Sequence, residues 1–182
     1  MKIESQTLIA ELLKRLDDAS ATVERFKNLD ADALNARKNE TSWSLLECLE
    51  HLNRYGYFYL PEIEKQILAQ QPVNDKQIFK SGLLGNYLVN LIRLSASKNR
   101  PMKTAKDMNP IHAELPDKTI SIFLEQQTRL RSLLQQSLLV DLNTTRTKTT
   151  LSPLITLRLG DTLRFMVYHI ERHVHQAEAT QF

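Results

Sequence analysis

Cysteine is nearly absent from the chain, since Cys48 is the only one among 182 residues. An intrachain disulfide is therefore excluded, which is typical of proteins from a reducing compartment. The first residues do not combine a basic segment with an apolar core, as a secretory signal would. No apolar run approaches the roughly 18 residues that a membrane span requires. These absences predict a cytoplasmic protein without a membrane segment or a membrane partner.

Glycine and proline are also scarce, with four and six occurrences. So few turn-forming residues disfavour a many-stranded sandwich or barrel and favour a few long helices joined by a few loops. Charged residues make up 25% of the chain and the apolar fraction is ordinary, which argues against wholesale disorder. The length suits one domain, so residues 1–182 are predicted to form a single domain.

The excess of positive charge is small, with a formal net charge of +3. Its one local concentration consists of Lys98, Arg100, Lys103 and Lys106. A nucleic-acid-binding chain normally has a longer basic stripe or aromatic residues among the basic ones. We therefore interpret this segment as a solvated basic loop and expect no nucleic-acid partner, although an anionic ligand or an RNA remains an alternative.

Four segments carry apolar residues at steps of three and four, the mark of a helix with one buried face. The first runs from about residue 8 to 29, with the stripe Leu8, Ile9, Leu12, Leu16, Ala19, Val23 and Phe26. The second should begin near Ser42, capped by Thr41 or Ser42, and end at about residue 70. The third should begin at an N-cap on Asp117 and end at about residue 139. The last should begin at an N-cap on Asp161 and carry His173 and Ala177 on its inner face.

Three further features modify this pattern. Pro61 falls inside the second helix, where a proline ring should bend or divide it. Residues 77–97 carry another apolar stripe, which predicts an additional helix between core helices two and three. The threonine-rich segment 143–150 should be a turn or a short extended piece. The prediction is an all-α fold, a four-helix bundle with an inserted fifth helix.

Two histidines lie four residues apart on the last predicted helix. His169 and His173 would stack about one turn apart on one face, so both could reach one metal ion. They share the inner stripe with Met166 and Ile170, and burying two imidazoles without partners would cost several kcal/mol. The alternative is a pair that is partly exposed, or hydrogen-bonded to backbone or glutamate. The spacing alone does not decide between the two.

Three stretches of the sequence together resemble the DinB/YfiT-like superfamily. In residues 43–52 a Trp-Ser pair opens the second helix, and His51 follows eight residues after Trp43. In residues 169–176 a histidine pair at i, i+4 is followed three residues later by Gln176. Residues 104–110 are similar to a loop of many relatives. In order and spacing the resemblance covers nearly the whole chain.

The resemblance implies a four-helix bundle of up-down-down-up course, a homodimer, and one divalent metal ion on His51, His169 and His173. Three neutral imidazoles leave a coordination position open, as in catalytic zinc sites, and zinc or nickel suits them best, with iron or manganese acceptable. The implied function is a metal-dependent enzyme that activates a low-molecular-weight thiol (a thiol S-transferase) or water (a hydrolase) on a small-molecule substrate. The alternative is a non-catalytic, metal-stabilised helical dimer that serves as a binding module. DNA binding is suggested by the family name alone.

Two residues near His51 are candidates for a catalytic role. Glu47, one turn before His51, could hold an imidazole N–H or act as a base, although surface glutamates are common on helices. Tyr55, one turn after His51, could line the pocket with its hydroxyl toward the metal, but a half-buried tyrosine needs no such role.

Other residues near the predicted site favour structural interpretations. Cys48 could be a fourth, soft ligand, but a small buried hydrophobe is the preferred interpretation. Trp43 is expected to plug the core at the helix start, and Gln176 to hydrogen-bond across the bundle. His175 should face away from the predicted ligands, and His112 could close over the site or simply be exposed.

Overall fold

The computed structural model describes residues 1–73, 77–93, 104–116 and 118–181, and most of them are helical. The α-helices of this part of the chain are α1 (Ser5–Phe26), α2 (Ala31–Asn35), α3 (Leu45–Leu68), α4 (Leu83–Ile92), α5 (Thr119–Gln136) and α6 (Leu159–Glu178). Short 3-10 helices span Lys106–Met108, Ser137–Leu139 and Ala179–Gln181. The predicted helical fold is confirmed. No helix in the described ranges has the length and apolarity that crossing a membrane requires.

The four long helices pack against one another through their apolar stripes. Helices α1 and α3 each pack on both α5 and α6, and α4 packs on α6. Every residue of the stripe predicted for the first helix is buried. Because each large apolar side chain contributes roughly 1.5–3 kcal/mol when it leaves water, these stripes hold the fold together.

A short strand pair corrects the prediction of one helix over residues 77–97. Strand β1 (Lys2–Glu4) pairs antiparallel with β2 (Ile78–Lys80), with Ile3 opposite Phe79, and α4 begins only at Leu83. Phe79 is fully buried, and its ring lies so close to Gly160 that an added Cβ there would be 2.5 Å from the ring. The apolar residues at the start of the stripe therefore belong to a strand that packs on the beginning of α6.

A second antiparallel strand pair, a β-hairpin, occupies the region expected to be a turn or a short extended piece. Strand β3 (Arg146–Thr149) pairs antiparallel with β4 (Ser152–Arg158), with Thr147 opposite Leu157. Side chains alternate along β3, so that Thr147 and Thr149 are buried while Arg146 and Lys148 are exposed. The predicted all-α fold is therefore incomplete, because the protein also contains two short antiparallel strand pairs.

Two helix starts differ from the prediction. Helix α3 begins at Leu45 because Ser44, not Thr41 or Ser42, is its N-cap and forms a capping box with Glu47. The helix then continues through Pro61 to Leu68 without being divided. The predicted N-cap of α5, Asp117, and the basic residues Lys98, Arg100 and Lys103 lie outside the described residues.

Helix α6 begins two residues before the predicted cap, with Arg158 at the N-cap position. Its first backbone amides donate to carbonyls of the turn that precedes β3. Leu159 N donates to Thr145 O at 2.9 Å, and Gly160 N donates to Leu142 O at 3.2 Å. Asp161 therefore lies inside the first turn, fully buried. Its carboxylate accepts from the Ser81 hydroxyl and from the Gly82 amide at 2.8 Å, which ties α6 to the segment before α4.

Candidate metal centre

Three histidines meet where α3 packs on α6. His51 lies on α3, His169 and His173 lie on α6, and one ring nitrogen of each lies within 4.8 Å of the others. Their side chains are buried, with exposed fractions of 2%, 5% and 9%. His51 Nε2 and His169 Nε2 are 3.1 Å apart. Ligand nitrogens at 2.0–2.1 Å from a tetrahedral zinc ion are about 3.3 Å apart, so this spacing fits a shared metal ion.

Hydrogen bonds orient two of the three rings. Nδ1 of His51 lies 2.6 Å from the backbone carbonyl of Met108, which can only accept, so Nδ1 donates and Nε2 keeps its lone pair. Nδ1 of His173 lies 3.0 Å from Gln176 Oε1 and donates in the same way. Nδ1 of His169 is buried and has no hydrogen-bond partner among the described residues. In His51 the nitrogen that faces His169 is therefore the one that can ligate a metal, and in His173 the nitrogen left without a proton is Nε2.

All three imidazoles are neutral near pH 7. The pKa of His51 is lowered to about 4, because burial and, to a smaller extent, the charge of Arg54 outweigh the opposing effect of the Met108 hydrogen bond. Burial, followed by the proximity of His51, lowers the pKa of His173 to about 3. Burial and the two neighbouring histidines hold the pKa of His169 well below its usual range. Because metals bind the neutral imidazole, this donor set fits a divalent metal ion.

The loop that carries Met108 is anchored at several points. Arg54 donates to the carbonyls of Asp107 at 3.2 Å and Asn109 at 3.1 Å, on either side of Met108. Trp43 Nε1 donates to Asn109 Oδ1 at 2.9 Å. The roles of Met108, Arg54 and Asn109 could not be predicted from the sequence. Met108 contributes a backbone carbonyl, which has no sequence signature, and the contacts of Arg54 and Asn109 join residues more than 50 apart in the chain. The one available signal was the resemblance of residues 104–110 to the loop of relatives.

A cavity of about 840 Å³ opens beside the histidines, all three of which line it. Trp43 lines it too, with its ring centroid 4.6 Å from that of His51, so it borders the site as well as packing at the helix start. The ring of Tyr55, on α3, contacts histidines of both helices: its centroid is 4.9 Å from that of His51 and 4.4 Å from that of His169. Burial, followed by the neighbouring Tyr59, raises the pKa of Tyr55, so its hydroxyl keeps its proton and can donate a hydrogen bond.

Glu47 is buried at 1% exposure and contacts the loop rather than the histidines. One carboxylate oxygen accepts from the Ser44 amide at 2.7 Å and pairs with Arg37 at 3.2 Å, and the other accepts from the His112 amide. Both oxygens thus have partners away from the cluster. This arrangement favours a structural role, joining the start of α3 to the loop, over a role as a base.

The remaining predicted residues lie around the cluster. Cys48 is fully buried and is not part of the histidine group, and burial together with the charge of Glu47 raises the pKa of its thiol to about 12. His112 is exposed, with φ of 59°, and its Nδ1 accepts from Arg37 at 3.1 Å. His175 is exposed and borders the cavity, whereas Gln176 contacts His173.

A mostly helical protein with a buried group of three histidines beside a cavity belongs to the class of candidate metal-binding helical proteins. The family model of the DinB superfamily matches residues 15–177, so the chain belongs to the DinB superfamily. The resemblance recognised in the sequence is thereby confirmed. No curated protein and no solved structure matches the chain at a significant level.

Proposed function

We propose that the chain is a metal-dependent enzyme that holds one divalent metal ion on His51, His169 and His173 and acts on a small molecule. The observation that carries this proposal is that all three histidines line a cavity of about 840 Å³. A site of that volume has room for an organic ligand, whereas a purely structural site is closed by four protein ligands. Members of the superfamily are often metal-dependent enzymes, which agrees with the proposal.

The proposed chemistry is activation of a low-molecular-weight thiol, or else of water. A divalent metal ion on three neutral imidazoles supplies Lewis acidity that favours the deprotonated form of either nucleophile. Zinc and nickel suit imidazole ligands best, and iron and manganese are alternatives. The Met108 carbonyl orients the His51 ring, the Gln176 amide orients the His173 ring, and the Tyr55 side chain lines the cavity beside them.

We further propose the up-down-down-up bundle course for α1, α3, α5 and α6. Contacts between the helices support it. Arg15 pairs with Glu171 and Arg25 with Glu178, so positions increase together along α1 and α6. Between α3 and α5 they also increase together, since Asn53 bonds Thr119 O and Glu64 pairs with Arg129.

Helices α3 and α6 run in opposite directions. The ring of His51 lies near that of His173, and the ring of Tyr59 lies near that of Phe165. This is the relation that the proposed course requires for the second and fourth core helices.

A second candidate is a non-catalytic dimer that a metal ion stabilises. Its support is that the three histidines come from two helices, so a bound ion would fasten α3 to α6. This candidate predicts that metal removal lowers stability sharply while no turnover is found with any thiol or ester. A homodimer and a cytoplasmic location are part of both proposals.

Thiol consumption tests the enzyme proposal directly. Zinc-loaded and nickel-loaded protein would be incubated with low-molecular-weight thiols and a small electrophile, and generic esters would be tested in parallel. We expect metal-dependent turnover that His173→Ala abolishes and that Tyr57→Leu, a change at an exposed position that does not line the cavity, retains. Absence of turnover at every metal loading, with the metal bound, would instead favour the non-catalytic dimer.

A further inference from the structure

Aromatic rings continue away from the histidines along both helices that hold them. On α3 the residues at successive turns are His51, Tyr55 and Tyr59, and on α6 they are Phe165, His169 and His173. We call these six side chains the ring row. Neighbouring members touch: Tyr55 and Tyr59 are stacked with centroids 6.0 Å apart, and Phe165 and His169 are stacked at 5.3 Å. Tyr59 and Phe165 join the two helices at 5.8 Å.

The ring row lines the cavity instead of filling it, since all six side chains border the open space. The rest of the lining includes aliphatic side chains of α4 and β4, among them Leu88, Leu91, Ile92 and Leu157. Aromatic rings receive other flat rings in offset or edge-to-face contact, which adds to the burial of apolar surface. A flat apolar body therefore matches this wall better than a flexible aliphatic chain does.

The charge of the lining restricts the ligand further. Among the described residues that line the cavity there is no aspartate or glutamate, and the permanently charged side chain is that of Arg172. An aromatic wall can also attract an organic cation, but the described lining residues include no carboxylate to balance its charge. A neutral or anionic molecule fits.

We infer that the cavity selects a small organic ligand with a flat, aromatic body that is neutral or anionic, and that the ring row is the wall that receives this body. The inference deepens the proposed function, on which it rests for calling this ligand a substrate. The position of the histidines at one end of the row places the ligand's other end near Tyr59 and Thr150, which also line the cavity.

Calorimetric titration of the metal-free protein tests the inference without relying on the metal. The probes are 3-phenylpropionate, 3-phenyl-1-propanol, 3-phenyl-1-propylamine and hexanoate. We expect the first two to bind, the amine to bind at least about tenfold more weakly, and hexanoate to bind about fivefold more weakly than 3-phenylpropionate. Equal or tighter binding of the amine, equal binding of hexanoate, or no binding of the aromatic probes at millimolar concentration would each overturn the inference.

A variant pair locates the binding surface. Tyr55→Leu removes a ring from the middle of the row and should weaken 3-phenyl-1-propanol about fivefold while leaving hexanoate unchanged. Tyr57→Leu is the matched control, because Tyr57 lies on the same helix, is 61% exposed and does not line the cavity. If Tyr55→Leu does not fold, Phe165→Leu replaces it. Equal affinities in the row variant and the control would contradict the assignment.

The same samples separate this inference from the proposed function. Their metal content after loading shows whether the histidine site binds an ion, and the titration shows whether the cavity binds an aromatic ligand. Aromatic binding without metal uptake would leave the inferred ligand class standing and overturn the enzyme proposal. Metal uptake without aromatic binding would overturn the ligand class alone.

Discussion

Glu47 is the residue whose contacts differ most from those that its position in the sequence suggests. One turn before a candidate ligand, it fits the description of a base or of an imidazole partner. Its oxygens are instead occupied by the amides of Ser44 and His112 and by Arg37. The contact with His112 joins residues 65 apart in the chain, and no local pattern predicts such a pairing.

We expect Glu47→Gln to lower the free energy of unfolding by about 2–3 kcal/mol without loss of metal. The change removes a buried charge from Arg37 and turns an amide group toward a backbone donor. Urea denaturation measures the effect, and elemental analysis measures the metal. Glu64→Gln is the control, because its pair with Arg129 is 41% and 46% exposed, and it should change stability by less than about 0.5 kcal/mol. Metal loss with unchanged stability would assign Glu47 to the metal site instead.

The histidines themselves were open to sequence reasoning to different degrees. The i, i+4 spacing places His169 and His173 on one face of a helix, and both ring groups are buried there. His51 comes from a helix more than 100 residues earlier, and only the family resemblance linked it to the pair. Met108 could not be foreseen because its contribution is a backbone carbonyl.

At the scale of elements, the long helices follow from hydrophobic periodicity, whereas the two strand pairs do not. The stripe of α1 repeats at steps of three and four and is buried throughout. In β3 the inward positions are occupied by Thr147 and Thr149, so the alternation of buried and exposed residues is hidden among polar side chains. The apolar residues of β2 lie only a few residues before those of α4, so in the sequence they look like part of the same helical stripe. Tertiary packing, rather than local preference, decided both cases.

The start of α6 shows the same limit for capping. Asp161 is a good N-cap by residue type, but the first amides of the helix already donate to Thr145 and Leu142. The aspartate is then available to bond Ser81, Gly82 and Arg164. Because the Thr145 and Leu142 carbonyls come from a turn more than ten residues earlier in the chain, a local capping rule placed the start of α6 three residues too late.

Helix α3 continues through Pro61, which offers a test at the same scale. Pro61 is exposed, so its ring contributes little packing, yet it removes one backbone donor from the helix interior. We expect Pro61→Ala to raise the free energy of unfolding by about 1–2 kcal/mol, the helical gain less the extra freedom of the unfolded chain. Urea denaturation beside the exposed control Lys65→Ala measures it. A decrease would show that a bend at Pro61 is part of the packed structure.

For the whole molecule, the buried histidines couple stability to pH. Their pKa values are lowered in the folded state, to about 4 for His51 and about 3 for His173, whereas unfolded histidine titrates near 6.5. Below about pH 6.5 the unfolded chain therefore binds more protons than the folded chain, so stability falls as the pH falls. Each group contributes up to about 1.4 kcal/mol per pH unit.

We expect the metal-free protein to lose stability steadily between pH 6.5 and 5, where carboxylates titrate little. Urea denaturation at several pH values, with a chelator present, measures the slope. His173→Asn should reduce that slope by the contribution of one bound proton, up to about 1.4 kcal/mol per pH unit. His175→Asn, an exposed control, should leave the slope largely unchanged. A stability that is constant or rises on acidification over this range would show that the histidines are not buried as neutral rings.

The proposed function requires a metal ion at His51, His169 and His173. Elemental mass spectrometry of untagged protein tests this most directly, with wild type beside His173→Ala and the matched control His175→Ala. We predict about one divalent ion per chain in wild type and in the control, and none in His173→Ala. No metal in wild type, even after incubation with excess zinc and nickel, would contradict the proposed three-histidine metal site.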